Sequence, residues 1–209
     1  MRSDDGRFEV DTPVGRAEVA LYTPPRPVSQ LVLGHGAGGG VDAVDLVAVR
    51  NLAVASGVAV ARVVQPYRVA GRRAPAPARQ LDAAWLAVLT ALRSRDGCQD
   101  LPVVAGGRSS GARVACRTAV QARVAGLVAL AFPLHPPGRP ERTRADELNT
   151  GIPTIVVNGD RDPFGVPEPR PGIQVEVLIG GDHSLRGVTD RVAALVVGWL
   201  SRHGWARST

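Results

Sequence analysis

Four short segments carry residues whose types and spacing suit nucleophilic chemistry. The first is Gly106-Gly107-Arg108-Ser109-Ser110-Gly111, a Gly-x-Ser-x-Gly pattern centred on Ser109. It follows the apolar run Val103–Ala105 and precedes a helical pattern. A strand turning abruptly into a helix holds such a serine in a strained, exposed position, and side chains at Gly107 and Gly111 would collide with neighbouring backbone. Ser110 lacks flanking glycines at that spacing. The bland reading of the segment is a Ser-rich tight turn capping the helix.

A serine nucleophile needs a base, an orienting acid and donors for a developing oxyanion. Gly180-Gly181-Asp182-His183 follows the last apolar run, which places His183 where a loop could lower an imidazole onto Ser109. His135 and His203 are the other bases available; His203 suits the end of the C-terminal helix, where it complements the dipole. The acid belongs between serine and histidine in chain order. Asn158-Gly159-Asp160-Arg161-Asp162 offers two carboxylates. Asp162, three residues after Gly159, is preferred; Asp160 is the alternative, free to brace the turn or pair with Arg161, and Asp182 reads as a loop brace. Gly34-His35-Gly36-Ala37-Gly38-Gly39-Gly40 is a glycine-crowded loop suited to close backbone approach. It assigns the oxyanion donors to the N–H groups of Ala37 and Ser110. His35 reads as a structural hydrogen-bonding residue rather than a base. His35, Arg68, Arg108 and His135 are the candidates for substrate contacts.

The elements that must position these residues alternate. Phe8–Val10 and Arg16–Tyr22 predict a hairpin. Leu31–Leu33, Val58–Val64, Val103–Ala105, Leu127–Ala131, Ile155–Val157 and Gln174–Ile179 predict strands. Val44–Ser56, Arg79–Arg93, Gly111–Val120 and Asp190–Arg202 predict helices with apolar residues at helical spacing. Near-continuous apolar strands between amphipathic helices imply an α/β fold, a mostly parallel sheet covered on both faces. Its site belongs in the loops at the carboxyl ends of the strands. One domain is expected over residues 1–209.

Together these segments make the chain resemble the α/β-hydrolase superfamily, in particular its small dienelactone-hydrolase-like members. Pro66-Tyr67-Arg68 with Gly71-Arg72-Arg73-Ala74-Pro75, the stretch Phe132–Gly138, and Gly106–Arg113 are similar to a subgroup that includes the hydrolase-like domain of a nonspecific-lethal chromatin complex subunit. The resemblance implies an eight-stranded sheet, a Ser109–Asp162–His183 triad, and hydrolysis of a small ester or thioester through an acyl-enzyme without metal or cofactor. Dienelactone hydrolases proper use Cys where this chain has Ser109. Only the stretch from Phe132 to Gly151 could hold a cap, so a minimal lid or none is expected.

Composition narrows the alternatives. The chain has 209 residues and a formal charge of +6, and all 25 of its basic side chains are Arg. Without Lys there is no Schiff-base lysine and no Walker lysine. Two Cys and four His cannot build a Cys-rich zinc site. Cys98 and Cys116 read as free thiols of a cytoplasmic protein. The charged N-terminal stretch Met1–Gly6 has no apolar core of a secretory signal. Residues 61–145 hold 14 Arg against four acids (Asp82, Asp96, Asp100, Glu141), which suggests an electropositive mouth for an anionic acyl substrate; solvated surface arginines are the bland reading. Aromatics at 4% and no recognised motif speak against a nucleic-acid partner, and no membrane partner is expected. A monomer or homodimer acting on a small molecule is the expectation. A catalytically silent scaffold that keeps the fold is the competing one.

Overall fold

The computed structural model describes residues 6–95 and 98–208. Residues 1–5 of the N-terminal stretch, and Asp96 of the basic segment, lie outside them. Among the described residues no helix is long and apolar enough to cross a membrane.

The strands are β1 (Gly6–Thr12), β2 (Gly15–Tyr22), β3 (Ser29–Gly34), β4 (Val58–Val64), β5 (Val103–Arg108), β6 (Gly126–Leu130), β7 (Thr154–Gly159) and β8 (Ile173–Leu178). They form one sheet in the order β1-β2-β4-β3-β5-β6-β7-β8. β2 runs antiparallel to β1 and β4, and the strands from β4 to β8 are mutually parallel. The helices are α1 (Val44–Ala55), α2 (Pro66–Val69), α3 (Ala78–Arg93), α4 (Ser110–Ala122) and α5 (Thr189–Arg202).

Both faces of the central strands are buried, because successive side chains point to opposite sides. Leu31 and Leu33 pack with α1 and α5 through Leu46, Val49, Val192 and Val196. Val32, between them, packs with α3 and α4 through Trp85, Val88 and Ala115. Each fully buried Leu or Val of these layers contributes about 1.5–3 kcal/mol relative to exposure. This explains why the strands read as continuous apolar runs rather than alternating ones.

Most element ends differ from the sequence expectation by one to three residues, and two of them show why. β5 runs on to Arg108 rather than stopping at Ala105, because Gly106 and Gly107 pair with β3 on one side and β6 on the other. Paired on both sides, they stay in the ladder despite glycine's poor strand propensity. Ile179, expected as a strand end, lies beyond β8 and is 71% exposed. The short helix α2 was not expected; Pro66 at its start fixes φ and lacks an N–H that the first turn does not need.

The strand order places the site. From β3 the chain steps to β4 on one side, and the next strand, β5, lies on β3's other side. In such a sheet the crevice beyond the carboxyl ends of the strands opens where the order reverses. The loops leaving β3 and β5 are the glycine-rich loop and the Ser109 turn. Between β6 and β7 the only helical element is the 3-10 turn Ala145–Leu148, and no lid is evident.

Candidate active site

Ser109 sits between β5 and α4 with φ 53° and ψ −111°. A non-glycine residue there is strained and held by its surroundings. Its N–H donates to Leu130 O of β6 at 2.9 Å. The turn is tight against the β3 end. A Cβ at Gly111 would come within 2.4 Å of Gly34 O, and one at Gly107 within 2.5 Å of the same atom. Those two contacts are why the turn needs glycine on both sides of the serine.

His183 lies 21 residues after Asp162, on the loop beyond β8. Its Nε2 is 3.0 Å from Ser109 Oγ and its Nδ1 is 2.8 Å from Asp162 Oδ2. The Asp162 side chain is fully buried. Its other oxygen accepts the Phe164 N–H at 2.9 Å, and the Phe164 ring lies against the imidazole, 4.2 Å between centroids. The carboxylate facing His183 is therefore that of Asp162. Asp160 accepts the Gly180 N–H at 2.8 Å and braces the approach of the two loops. Asp182 accepts from Ser184 N–H and Oγ–H at 2.8 and 2.6 Å, which hold its carboxyl below the usual carboxylate range.

A cleft of about 690 Å³ opens over Ser109 and His183, bordered by Gly36, Ala37, Arg108, Phe164 and Arg186 among others. Ala37 lines it, and the Ala37 carbonyl is tied down by Tyr67 Oη–H at 3.0 Å. Ser110 begins α4, so its N–H is one the helix leaves unused; the residue itself borders a small interior gap with Trp85 and Val114.

The four proposed substrate contacts divide. Arg108 borders the cleft. His35, Arg68 and His135 do not. His35 is 3% exposed; its Nδ1–H donates to Gly36 O at 2.8 Å and its Nε2 accepts the Gln65 N–H at 3.1 Å. Burial is the main cause that lowers its pKa below the ordinary value of 6.5, so it is a neutral tie between two loops. Arg68 points along its own turn, with Nη1 toward Arg72 O at 3.5 Å. His135 packs on the acid loop: a Cβ at Gly165 would meet its Nε2 at 2.4 Å. Most of the mouth expected from the basic segment is thus absent from the cleft, since only Arg108 of its arginines borders it. Others are spent in structure: Arg113 pairs with Glu147 at 2.6 Å and Arg117 with Asp82 at 2.6 Å. The unexpected cation at the cleft is Arg186, from outside that segment.

Two residues of the site were not singled out from the sequence. Asn158, at the end of β7 and fully buried, accepts the Phe132 N–H at 2.9 Å and donates to Phe132 O and Gly165 O, both at 3.0 Å. It locks the acid loop to the end of β6; a buried amide directly before Gly159 in an apolar strand was the available signal. Asp45, fully buried at the start of α1, pairs with Arg108 at 3.0 Å. Nothing local marks it.

Residues 27–192 match the family described as alpha/beta hydrolase domain. The chain belongs to that family. No curated protein matches this α/β-hydrolase in sequence. Its fold is shared with solved structures at low identity. A dienelactone hydrolase from Anabaena variabilis aligns with a TM-score of 0.78 at 15% identity, over 97% of this chain and 99% of that one. An α/β serine hydrolase without lid from Xanthomonas campestris gives 0.77 at 19%, over 100% and 98%. Est1E from Butyrivibrio proteoclasticus gives 0.72 at 17%, over 94% and 99%. Membership of that family marks this chain as a hydrolase.

Proposed function

We propose that this hydrolase is a serine esterase or thioesterase acting on small acyl substrates through an acyl-enzyme. The observation that carries the reading is the continuous relay Ser109 Oγ–His183–Asp162, at 3.0 and 2.8 Å. His183 Nε2 takes the Ser109 proton as Oγ attacks the carbonyl carbon. The carbonyl oxygen becomes an oxyanion held by the N–H groups of Ala37 and Ser110. Asp162 fixes the tautomer that leaves Nε2 free and stabilises the imidazolium. The imidazolium then gives its proton to the leaving alcohol or thiol. Water, deprotonated by His183, attacks the acyl carbon and restores Ser109 Oγ–H. An open cleft without a lid suits a short acyl chain better than a triglyceride.

A catalytically silent scaffold would have no use for a serine hydroxyl held in hydrogen-bond reach of an imidazole. The test is labelling by a fluorophosphonate probe, with p-nitrophenyl esters and thioesters of varied chain length alongside. Labelling and turnover that vanish in Ser109→Ala are expected; labelling undiminished in that variant would overturn the assignment.

A further inference from the structure

Arg108 is the last residue of β5 and immediately precedes the nucleophile, yet its side chain reaches the start of α1 and the loop beyond β8. Nη2–H donates to the backbone carbonyl of His183 at 2.6 Å. Nε stands 3.0 Å from Asp45 Oδ2, and the Asp45 side chain is fully buried. Asp45 lies in the first turn of α1, where its Oδ1 accepts the Leu46 N–H at 2.9 Å. Burial pushes the Asp45 carboxyl up from its usual range, and the Arg108 charge is the strongest influence opposing that shift. The glycine-rich loop leaves room for the guanidinium: a Cβ at Gly36 would sit 3.2 Å from Arg108 Nη1.

A buried ion pair gains little stability over apolar residues of the same volume, because desolvation offsets the attraction. What it supplies is fixed geometry, and here the geometry ends on the backbone of the base. Among the described residues no other donor reaches the His183 carbonyl. The rest of that loop is held at its margins, by Arg161 N–H on Gly181 O at 3.0 Å and by Leu185 N–H on Asp182 O at 3.1 Å. A guanidinium already neutralised by a buried carboxylate also has little charge to offer a substrate anion.

We propose that Arg108 is a positioning residue: with Asp45 as its buried counter-ion, it holds the His183 backbone so that the imidazole stays in line with Ser109 Oγ. This rests on the serine-hydrolase reading above. It gives the residue between Gly107 and Ser109 a task that joins the end of β5, the start of α1 and the loop leaving β8.

The test uses two variants. Arg108→Lys keeps a positive charge facing Asp45, but its compact ammonium lacks the planar fork that serves carboxylate and carbonyl together. Arg108→Gln with Asp45→Asn removes both charges, so neither is left buried alone. Both are compared with the wild-type chain on a neutral p-nitrophenyl ester and its carboxylated analogue. The expected result is a folded protein with kcat lower by about 10- to 100-fold, the scale that small misplacements of a reacting group produce. KM is unchanged, and the loss is equal for the two esters. A KM increase confined to the carboxylated ester would make Arg108 a substrate anchor and overturn the proposal. So would wild-type kcat in both variants, or failure of Arg108→Lys to fold, which would make the role one of stability. A wild-type chain that neither turns over esters nor labels at Ser109 would instead overturn the functional reading.

Discussion

Asp160 and Asp162 stand two residues apart in one turn and meet different partners, a backbone N–H and an imidazole. Their neutral variants should therefore separate. Asp162→Asn is expected to lower kcat by about 10⁴-fold, the cost of presenting the wrong imidazole tautomer. Asp160→Asn, which keeps a side-chain oxygen for Gly180 N–H, is expected to stay within about threefold of wild type, because the bond it keeps is a neutral one of modest worth. Steady-state kinetics on one p-nitrophenyl ester decides both. Equal losses would mean that the carboxylate acts through the turn rather than through His183. The thiols illustrate how burial governs reactivity. Burial is the main cause that pushes Cys116 up to about 12 and raises Cys98. Neither should react with a thiol reagent in the native protein, and both should after denaturation, since they are free.

At the scale of elements, the site is an agreement among strand ends. The acid loop after β7 and the base loop after β8 come together because Gly159 and Gly181 touch: a Cβ at Gly159 would lie 2.3 Å from the Gly181 backbone. Gly159→Ala must push the loops apart. It should destabilise the protein by about 1–3 kcal/mol, as overpacking does, and lower kcat by more than that stability loss alone would cause at a temperature where the variant is folded. Chemical denaturation and kinetics on the same sample read the two effects separately. Normal kcat in a folded Gly159→Ala would mean that the loops tolerate separation.

Over the whole molecule, charge and pH behave differently from what composition suggests. The arginines concentrate in residues 61–145, but the fold distributes them to ion pairs and carbonyls on several sides of the sheet, and only one of that segment reaches the cleft. One group that links stability to pH is the buried histidine His35. His35 has a folded-state pKa below its unfolded value of 6.5. Between those two values the unfolded chain binds more protons than the folded one. Its contribution is therefore complete above the unfolded value and is lost as pH falls from there through the folded one. The melting temperature should drop as pH falls below 6.5, and the drop should be smaller in His35→Gln, whose amide offers a donor and an acceptor without titrating. An unchanged slope in that variant would assign the acid sensitivity to other groups.

The order of the strands and of the longer helices, the nucleophile turn and the positions of Ser109, Asp162 and His183 were legible in the sequence. They depend on local patterns: apolar runs bounded by glycine, helical spacing, and glycines where backbone must pass close. Exact strand ends, those of β5 and β8 among them, were not, because pairing with neighbouring strands sets them rather than the residues themselves. The partners of Asp45, Asn158, Arg108 and His35 were also out of reach, and so was the dispersal of the basic segment. Each depends on which side chains meet across loops far apart in the chain. The sequence by itself determined which residues could do the chemistry. Only the tertiary structure decided which polar groups meet, because a buried charge or amide takes its meaning from partners that no spacing along the chain specifies.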